Sequence, residues 1–491
     1  MTRIAGEITI YLAAAVSSAA GFFFGALSFV PAFAAGMIIA GFGVTVTIRN
    51  SINSRIVCAA LLCTSILLPA SVFLRERTMI SESGLKPPAE IGQISAFSGE
   101  LVSDSRKIRD GKTMYILRFH EIRSVSGIRY KSGFTGTALV FGWGLPCLYR
   151  GSIITAAAPL SPGTSKEDPF TASVSDSDVF FSGYTNRITE MRGILREKFL
   201  SAGEVFKGRT GAFLTALLTG DRQRLNPEDA AVFRKAGCAH ILALSGMHLG
   251  ILCALFTLVL NPVTGGRSFW LVAPAVLLYI FVTGPLPSLN RAALMFLLGG
   301  LGKLFGRRVD LRILLLLSFV ILLFADPVSA RTLSFQLSFL ALAGIIFLSP
   351  PIVSMLEPRL GRWLALPLSA SLAAQTATAP LLLALFGTIQ PAGIIAALVL
   401  TPLVTVFLWG GIISIVCTAV FPVLTEAASS LLTVICGTVV KAADSFSRFP
   451  GISPDHLFGK VFAAVICIAA AVFLLIRNGT FRLPVIGGRR K

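Results

Sequence analysis

Gly237-Cys-Ala-His-Ile-Leu-Ala-Leu-Ser-Gly-Met-His-Leu-Gly250 leads directly into an apolar run that continues to Leu260. This segment sets two histidines and a serine among apolar and small residues. Ionisable side chains at membrane depth are costly, so they usually face the interior of a helix bundle or a water-filled path. The pattern therefore predicts a membrane-inserted segment whose polar centre is formed by His240, Ser245 and His248.

Apolar runs recur along most of the chain around this segment. Of the 491 residues, 54% are hydrophobic and 14% are charged. This apolar fraction is too high for a soluble protein. A helix needs about 20 apolar residues to cross a bilayer, and apolar runs recur along the chain. The sequence predicts a mainly α-helical, polytopic membrane protein with about 9–12 spans. The runs are Ile8–Leu27, Val30–Ile48, Ile56–Leu74, Ile241–Leu260, Phe269–Thr283, Ala292–Phe305, Ile313–Phe324, Phe335–Val353, Leu364–Phe386, Ala392–Phe421, Leu424–Val440 and Val461–Ile476.

Lysine and arginine cluster in the short loops between these runs. Arg49 and Arg55 follow the second run, several basic residues lie between Lys303 and Arg312, and residues 478–491 form a basic tail. Cytoplasmic loops of bacterial and other membrane proteins are enriched in Lys and Arg. The clusters predict cytoplasmic loops and a cytoplasmic tail, and they place the polar segment after the first three helices (1–74) outside.

The formal net charge of +19 is weak evidence for a nucleic-acid partner. Residues 75–208 carry +4 of this charge and the remaining residues carry +15. The inside loops of any membrane protein hold such an excess. High charge alone therefore does not identify a ligand.

The polar segment of residues 75–160 is predicted to form a small extracytoplasmic β domain. Alternating residues over Lys112–Phe119 and Thr135–Phe141 are typical of strands, and Gly, Ser and Asp separate them. A small β-barrel or sandwich is the natural interpretation. Residues 161–207 are predicted to be a linker followed by a helix, because Leu160–Ser182 is rich in Ser, Pro, Thr, Gly and Asp.

Residues 186–206 have the periodicity of an amphipathic helix. Ile188, Met191, Ile194, Leu195 and Phe199 recur at helical spacing, and the other positions hold Arg192, Arg196, Glu197 and Lys198. The pattern predicts an amphipathic helix. This helix could lie on the outer membrane surface, which we favour, or it could pack against the β domain. A short helix is next expected to begin at Asn226-Pro227, an N-cap followed by proline, and to end before Gly237.

Four polar blocks within the apolar part, taken together, closely resemble one family. They are Ala216-Leu-Leu-Thr-Gly-Asp-Arg222, Phe233-Arg-Lys-Ala-Gly-Cys-Ala-His-Ile-Leu-Ala-Leu-Ser-Gly-Met-His-Leu249, Pro287-Ser-Leu-Asn-Arg-Ala292, and Asp326-Pro-Val with Phe335-Gln-Leu-Ser-Phe339. The chain resembles the ComEC family of bacterial competence proteins over roughly residues 190–420. This resemblance implies an inner-membrane channel domain at residues 208–477 and an OB-like character for the β domain.

The resemblance implies conduction of single-stranded DNA into the cytoplasm during natural transformation. Membrane lipid, a DNA receptor outside and an ATP-driven cytoplasmic motor are the implied partners, and a homo-oligomer is compatible with it. Many members carry a metallo-β-lactamase-like domain. This sequence has no His-x-His-x-Asp-His cluster, so nuclease activity of that kind is not expected. A second departure is Ala397, where the family pattern before Pro402 usually has Asn.

The polar residues inside the apolar runs are the candidate site. Channel or DNA-path candidates are His240, Ser245, Gly246, His248, Arg291, Gln336, Ser338 and Gln375, and positioning candidates are Asp221, Arg222 and Asp326. The guanidinium of Arg291 suits a moving phosphate backbone, although an ordinary interfacial arginine is an equal alternative. The amides and serine also fit simple hydrogen bonding between helices, and Asp326 fits a turn at the end of a span.

His240 and His248 are eight residues apart, about 80° around one ideal helix. On one continuous helix they face a single cavity, which favours pore lining or hydrogen bonding between helices. No third or fourth ligand accompanies them, so a metal site is not expected. Gly246 and Gly250 permit either close helix packing or a break. Ser245 lacks the Gly-x-Ser-x-Gly context of a hydrolase.

No sequence motif for an enzyme or a cofactor accompanies these features. A Gly-x-x-x-x-Gly-Lys-Ser/Thr loop is absent from the sequence, so energy for transport is expected to come from a partner. Most of the eight cysteines lie in apolar runs and are expected to be small buried hydrophobes. The alternative function is a small-molecule or lipid-precursor transporter with an extracytoplasmic β domain.

Overall fold

The protein is a helical membrane protein with a small β domain, and its computed structural model describes residues 94–108, 112–124, 129–130, 137–162, 170–265, 267–306, 309–326 and 329–453. The three helices predicted in residues 1–74, the run Val461–Ile476 and the basic tail lie outside the described residues. The span count of 9–12 therefore stays a prediction.

In the described residues, the β domain is built on one mixed sheet of nine strands. The strands are β1 (Ile94–Leu101), β2 (Arg106–Lys107), β3 (Lys112–Ser124), β4 (Arg129–Tyr130), β5 (Thr137–Trp143), β6 (Ser152–Ala156), β7 (Ser161–Pro162), β8 (Phe170–Ser175) and β9 (Val179–Tyr184). The main path runs β7-β8-β5-β3-β1-β6-β9, and β2 and β4 also pair with β3. All pairs are antiparallel except β5 with β8.

The alternation of apolar residues explains this sheet. Along β6 and β8 every second residue is buried, as a strand with one face on a core requires. The rings of Phe97, Phe119 and Phe170 meet edge to face in that core, at centroid distances of 5.6 and 5.9 Å. The two strands predicted from Lys112–Phe119 and Thr135–Phe141 are confirmed as β3 and β5. The OB-like character of the domain stays a prediction.

The stretch Leu160–Ser182 is not the linker that its composition indicates. β7, β8 and most of β9 lie within it, so the sheet continues to Tyr184. Threonine and serine at the other positions of β8 hide the alternation of Phe170, Ala172 and Val174, which are buried. The polar residues of this stretch thus belong to one face of a strand and not to a loop.

Eleven α-helices follow in the described residues. They are α1 (Arg187–Gly203), α2 (Gly208–Thr219), α3 (Pro227–Lys235), α4 (Ala239–Leu242), α5 (Gly246–Thr264), α6 (Phe269–Thr283), α7 (Pro287–Leu304), α8 (Leu311–Ala325), α9 (Leu333–Phe386), α10 (Ala392–Val420) and α11 (Thr425–Ser447). Four are long and apolar enough to cross a membrane: α5, α9, α10 and α11 with the preceding 3-10 turn. α6 and α8 are shorter apolar helices.

Local signals fix several helix ends. The side chain of Asn226 accepts the backbone N–H of Glu228, and Pro227 occupies the first helical turn of α3, as predicted. Gly237 follows α3 with a positive φ of 75°. In the long α9, Gly361 leaves the helical region with φ 71°. That break separates the two apolar runs predicted at Phe335–Val353 and Leu364–Phe386.

The largest hydrophobic core of the described residues lies among α2, α3, α10 and α11. The fully buried rings of Phe213, Phe233 and Phe407 meet there at centroid distances of 5.7 and 5.4 Å. The core extends through Cys238 and Ile241. The segment that connects α3 to α5 is therefore seated in a packed core, and it positions the polar residues that follow.

Candidate functional site

The segment predicted from Gly237–Gly250 is a broken helix. α4 ends at Leu242, Ser245 has extended backbone angles (φ −133°, ψ 171°), and α5 begins at Gly246. Ser245 is the N-cap of α5, a position that serine favours because its hydroxyl competes with helical backbone bonds. The 80° relation between His240 and His248 was wrong, since it assumes one continuous helix. His240 is exposed and His248 is buried.

The imidazole of His248 is held against the N-cap. Its Nδ1 accepts the backbone N–H of Ser245 at 3.3 Å and lies 3.1 Å from Ser245 Oγ. A neutral imidazole with Nδ1 as acceptor carries its proton on Nε2. That Nε2 is buried and has no hydrogen-bond partner in the described part of the chain. The contact between Ser245 and His248 is a capping contact within one helical turn, and it leaves one buried donor unused.

Helix α7 brings Arg291 to the same turn of α5. A Cβ placed on Gly246 meets Ala292 Cβ at 2.9 Å and Arg291 Nη2 at 3.3 Å. Only glycine lets α5 and α7 approach this closely. The guanidinium of Arg291 donates from Nη1 to the carbonyl of Ser338, and its Cζ lies 5.5 Å from the ring centroid of Phe339. Ser245, Gly246, His248, Arg291 and Ser338 are therefore brought together.

Polar side chains satisfy the backbone carbonyls around the break. Ser288 Oγ donates to Leu244 O at 3.1 Å, and Arg222 Nε donates to Leu242 O at 3.1 Å. A break inside an apolar bundle needs such partners because its carbonyls lack water. Sequence reasoning missed the role of Ser288, although its place in the Pro287–Ala292 block was a usable signal.

Gln375 belongs to a second cluster. Its Nε2 donates to the carbonyl of Gln390 at 2.8 Å. Gln390 in turn packs on Gly237, where an added Cβ would meet Gln390 Cβ at 2.9 Å and Gly393 Cα at 2.8 Å. Sequence reasoning missed Gln390 because the signal was a single amide in a loop. This second cluster anchors the start of the inserted segment.

The remaining candidates lie at chain turns or on α9. Asp221 Oδ1 accepts the backbone N–H of Gln223 at 2.9 Å. Asp326 accepts from Ser329 through its carbonyl at 2.8 Å, which confirms a turn at the end of α8. Gln336 lies in the first turn of α9 and is half-buried. Their participation in a transport path stays a proposal.

Three side chains that sequence reasoning did not connect join the β domain to the membrane helices. Arg192 forks onto Asp104, with Nη1 to Oδ1 and Nη2 to Oδ2 both at 3.0 Å, and Arg196 Nε lies 3.0 Å from Oδ2. The same two arginines donate to main-chain carbonyls at the end of α6. These carbonyls are Phe281 O, Val282 O and Thr283 O, at 3.0 to 3.1 Å. We call Asp104, Arg192 and Arg196 the charge junction.

The structure turns two charged side chains of α1 inward. Arg192 and Arg196 are 7% and 8% exposed, whereas Ile188 and Met191 are 63% and 53% exposed. The guanidiniums turn inward because the carboxylate of Asp104 and the partial negative charge at the C-terminus of α6 compensate them. α1 therefore packs on both the β domain and α6. Its position on the membrane surface stays a prediction.

The charge junction predicts that the contact between the β domain and the membrane helices depends on pH. Burial opposes ionisation of Asp104, but Arg192 and Arg196 outweigh it, so its pKa lies below the ordinary 3.8. A lowered folded-state pKa gives stability that is present above the unfolded pKa and is lost as pH falls through the folded pKa. We expect protease protection of the 184–187 connection to be constant near neutrality and to fall below about pH 4. Asp104→Asn is the control, and it should lose this pH dependence.

A match to a known protein family covers the part of the chain that contains the candidate site. Residues 217–480 match the family described as "Competence protein". "ComE operon protein 3" of Bacillus subtilis (strain 168) is 35% identical over 170 residues, which are 34% of this chain and 21% of that protein. The matched region thus spans about a fifth of the Bacillus protein.

An uncharacterized protein of Aquifex aeolicus (strain VF5) is 28% identical over 328 residues, 64% of this chain and 74% of that protein. No solved structure matches. The family match covers more than half of the chain and includes the broken helix, Arg291 and Ser338. The chain therefore belongs to the competence protein family.

Proposed function

We propose that this chain forms the inner-membrane path through which single-stranded DNA enters the cytoplasm during natural transformation. Membership of the competence protein family supports a role in DNA uptake. The observation that carries the finer proposal is the broken helix α4–α5 with the buried guanidinium of Arg291 against its first turn. A polyanion can leave water only where positive charge and hydrogen-bond donors replace its hydration.

The β domain is the proposed receiving surface for the strand. Trp143 at the end of β5 is 57% exposed, and Lys112 Nζ lies 5.4 Å from its ring centroid. An exposed aromatic ring beside a cation suits base stacking and phosphate attraction in a single strand. The charge junction holds this domain directly over the end of α6. The strand would pass from the β domain toward the α5–α7 contact.

The residues have separate roles in this proposal. Arg291 supplies a planar set of donors for phosphate oxygens. Ser245 and His248 hold the first turn of α5, and Arg222 and Ser288 keep the broken backbone satisfied. A DNA receptor outside and an ATP-driven motor inside are proposed partners, because work on the strand must come from an energy source.

The direct test is entry of labelled single-stranded DNA into spheroplasts, with and without this protein. DNA protected from external nuclease is measured, and the amount of protein in the membrane is quantified in parallel. Entry that depends on the protein supports the DNA path. Equal entry, with the protein and a competence motor present, contradicts it and favours the small-molecule transporter.

Arg291→Ala and His248→Ala are each expected to lower protected DNA entry, Arg291→Ala by about 10-fold or more, as for loss of a hydrogen bond to a charged group. The amount of each variant in the membrane should equal that of the unaltered protein. Arg267→Ala is the matched control, since Arg267 is exposed in the turn between α5 and α6. Unchanged entry in both site variants would contradict the site assignment.

A further inference from the structure

Arg291 is a buried cation for which the described residues provide no carboxylate. It is 9% exposed. Its Nε has no hydrogen-bond partner among the described residues. The carbonyl of Ser338 and the ring of Phe339 offer only partial negative charge. A buried charge without a full counter-charge is strongly unfavourable, so this position is suited to an anion that the protein itself does not supply.

The first turn of α5 lies beside this guanidinium. An α-helix begins with backbone N–H groups that have no partner within the helix, and its dipole places partial positive charge there. α5 is 19 residues long, and Arg291 Nη2 lies 3.3 Å from the Cβ position of Gly246, its first residue. The missing side chain at Gly246 exposes the backbone to the guanidinium. The first turn of α5 and the guanidinium of Arg291 would therefore contact the same bound group.

A third group in this turn is also a donor. His248 Nδ1 accepts from Ser245, which leaves the buried Nε2–H unused. His248 follows Gly246 by two residues, so it flanks the same helix start. Three features here present hydrogen-bond donors: the unused Nε of Arg291, the unused Nε2 of His248 and the N-terminus of α5. A ligand with several acceptor oxygens and negative charge matches Arg291 and the helix start.

We propose that the first turn of α5 and Arg291 form a binding site for one phosphate-type oxyanion. The assignment of that oxyanion to a phosphodiester of single-stranded DNA rests on the proposed function. Inorganic phosphate and a lipid phosphate head group share the chemistry. The site binds backbone rather than bases, so it is indifferent to DNA sequence.

The packing around the site indicates how a phosphate would enter. Gly246 and Ala292 are in close contact, and Arg291 Nη1 is bound to Ser338 O on α9. A phosphate reaches the helix start only if α7 moves away from α5. The guanidinium then exchanges the Ser338 carbonyl for phosphate oxygens, which replaces a neutral acceptor by a charged one.

The test uses the whole protein purified in detergent and in lipid nanodiscs. Binding of a short fluorescein-labelled oligodeoxythymidylate is measured by anisotropy at several salt concentrations. The comparison is with a methylphosphonate oligomer of equal length, which has no backbone charge. Arg291→Gln is the site variant and Arg267→Gln is the charge-matched control. Inorganic phosphate is added as competitor, and phosphatidylglycerol nanodiscs are compared with phosphatidylcholine nanodiscs.

The expected result is a loss of affinity of about 10-fold or more in Arg291→Gln, with the salt slope reduced by about 0.7 for one lost phosphate contact on a single strand. Arg267→Gln should lack the affinity loss, and the methylphosphonate oligomer should not respond to Arg291→Gln. Competition by inorganic phosphate that requires Arg291 would further support the site. A second variant, His248→Gln, retains a donor and should lose less affinity than His248→Ala.

Two results would overturn the inference. Equal affinity of Arg291→Gln and the unaltered protein would remove the oxyanion site. An effect of Arg291 confined to phosphatidylglycerol nanodiscs would assign the site to a lipid head group and exclude the DNA phosphate. Neither result depends on whether DNA enters spheroplasts. Failure of this inference is therefore distinguishable from failure of the proposed function.

Discussion

Asp104→Ala is expected to release the β domain from the membrane helices. The substitution leaves two guanidiniums, Arg192 and Arg196, buried beside each other without their carboxylate. Removal of one partner from a buried ion pair typically costs about 3–5 kcal/mol. The carboxylate also accepts the backbone N–H of Arg150 at 2.8 Å, which fixes the β domain side of the contact. The domain contact should therefore weaken without loss of the fold of the sheet.

This effect is measured by protease sensitivity between β9 and α1 and by thermal unfolding of the purified protein. Asp176→Asn is the control, since Asp176 is an exposed acid of the same domain. Asp104→Glu keeps the charge and should retain part of the protection. Equal sensitivity of Asp104→Ala and Asp176→Asn would show that the charge junction does not hold the domains together.

The charge junction could not be predicted from sequence. Asp104 and Arg192 are 88 residues apart, and hydrophobic periodicity shows only that α1 is amphipathic. The partners of its two buried arginines, a carboxylate and the carbonyls that end α6, depend on the three-dimensional arrangement. By contrast, the N-cap at Asn226 and the start of α3 depend on neighbouring residues only, so local rules were sufficient.

The residues of the polar centre could be predicted from the sequence, but their arrangement in space could not. The sequence singled out Ser245, His248 and Arg291 because polar residues are rare in apolar runs. It placed His240 with His248 because the helix was taken as continuous. The break at Ser245 depends on the capping contact between Ser245 and His248, three residues apart, and on the close approach of α7 to Gly246. The approach of α7 to Gly246 is a tertiary contact, which the apolar run Ile241–Leu260 could not reveal.

Gly237→Ala is expected to displace the start of the inserted segment. Gly237 has φ +75°, a region that costs other residues roughly 1–2 kcal/mol. Its added methyl group would also lie 2.8 Å from Gly393 Cα and 3.0 Å from Gln390 O. Overpacking of this kind typically costs about 1–3 kcal/mol more. Both terms act at the junction between α3, α4 and α10, so we expect lower thermal stability and greatly reduced DNA entry.

Gly265→Ala separates these two terms. Gly265 also has positive φ, 58°, but a Cβ placed there meets nothing within 4 Å. It should lose only the conformational term, and DNA entry should persist. Gly393→Ala tests the same contact from α10, where the added Cβ would lie 3.0 Å from Gly237 O. This variant should lose the packing energy without the cost of a positive φ. If Gly237→Ala unfolds no earlier than Gly265→Ala, close backbone packing does not seat this segment. A larger loss in Gly237→Ala than in either comparison variant would mean that backbone packing against α10 helps to position the broken helix and, through it, the first turn of α5 beside Arg291.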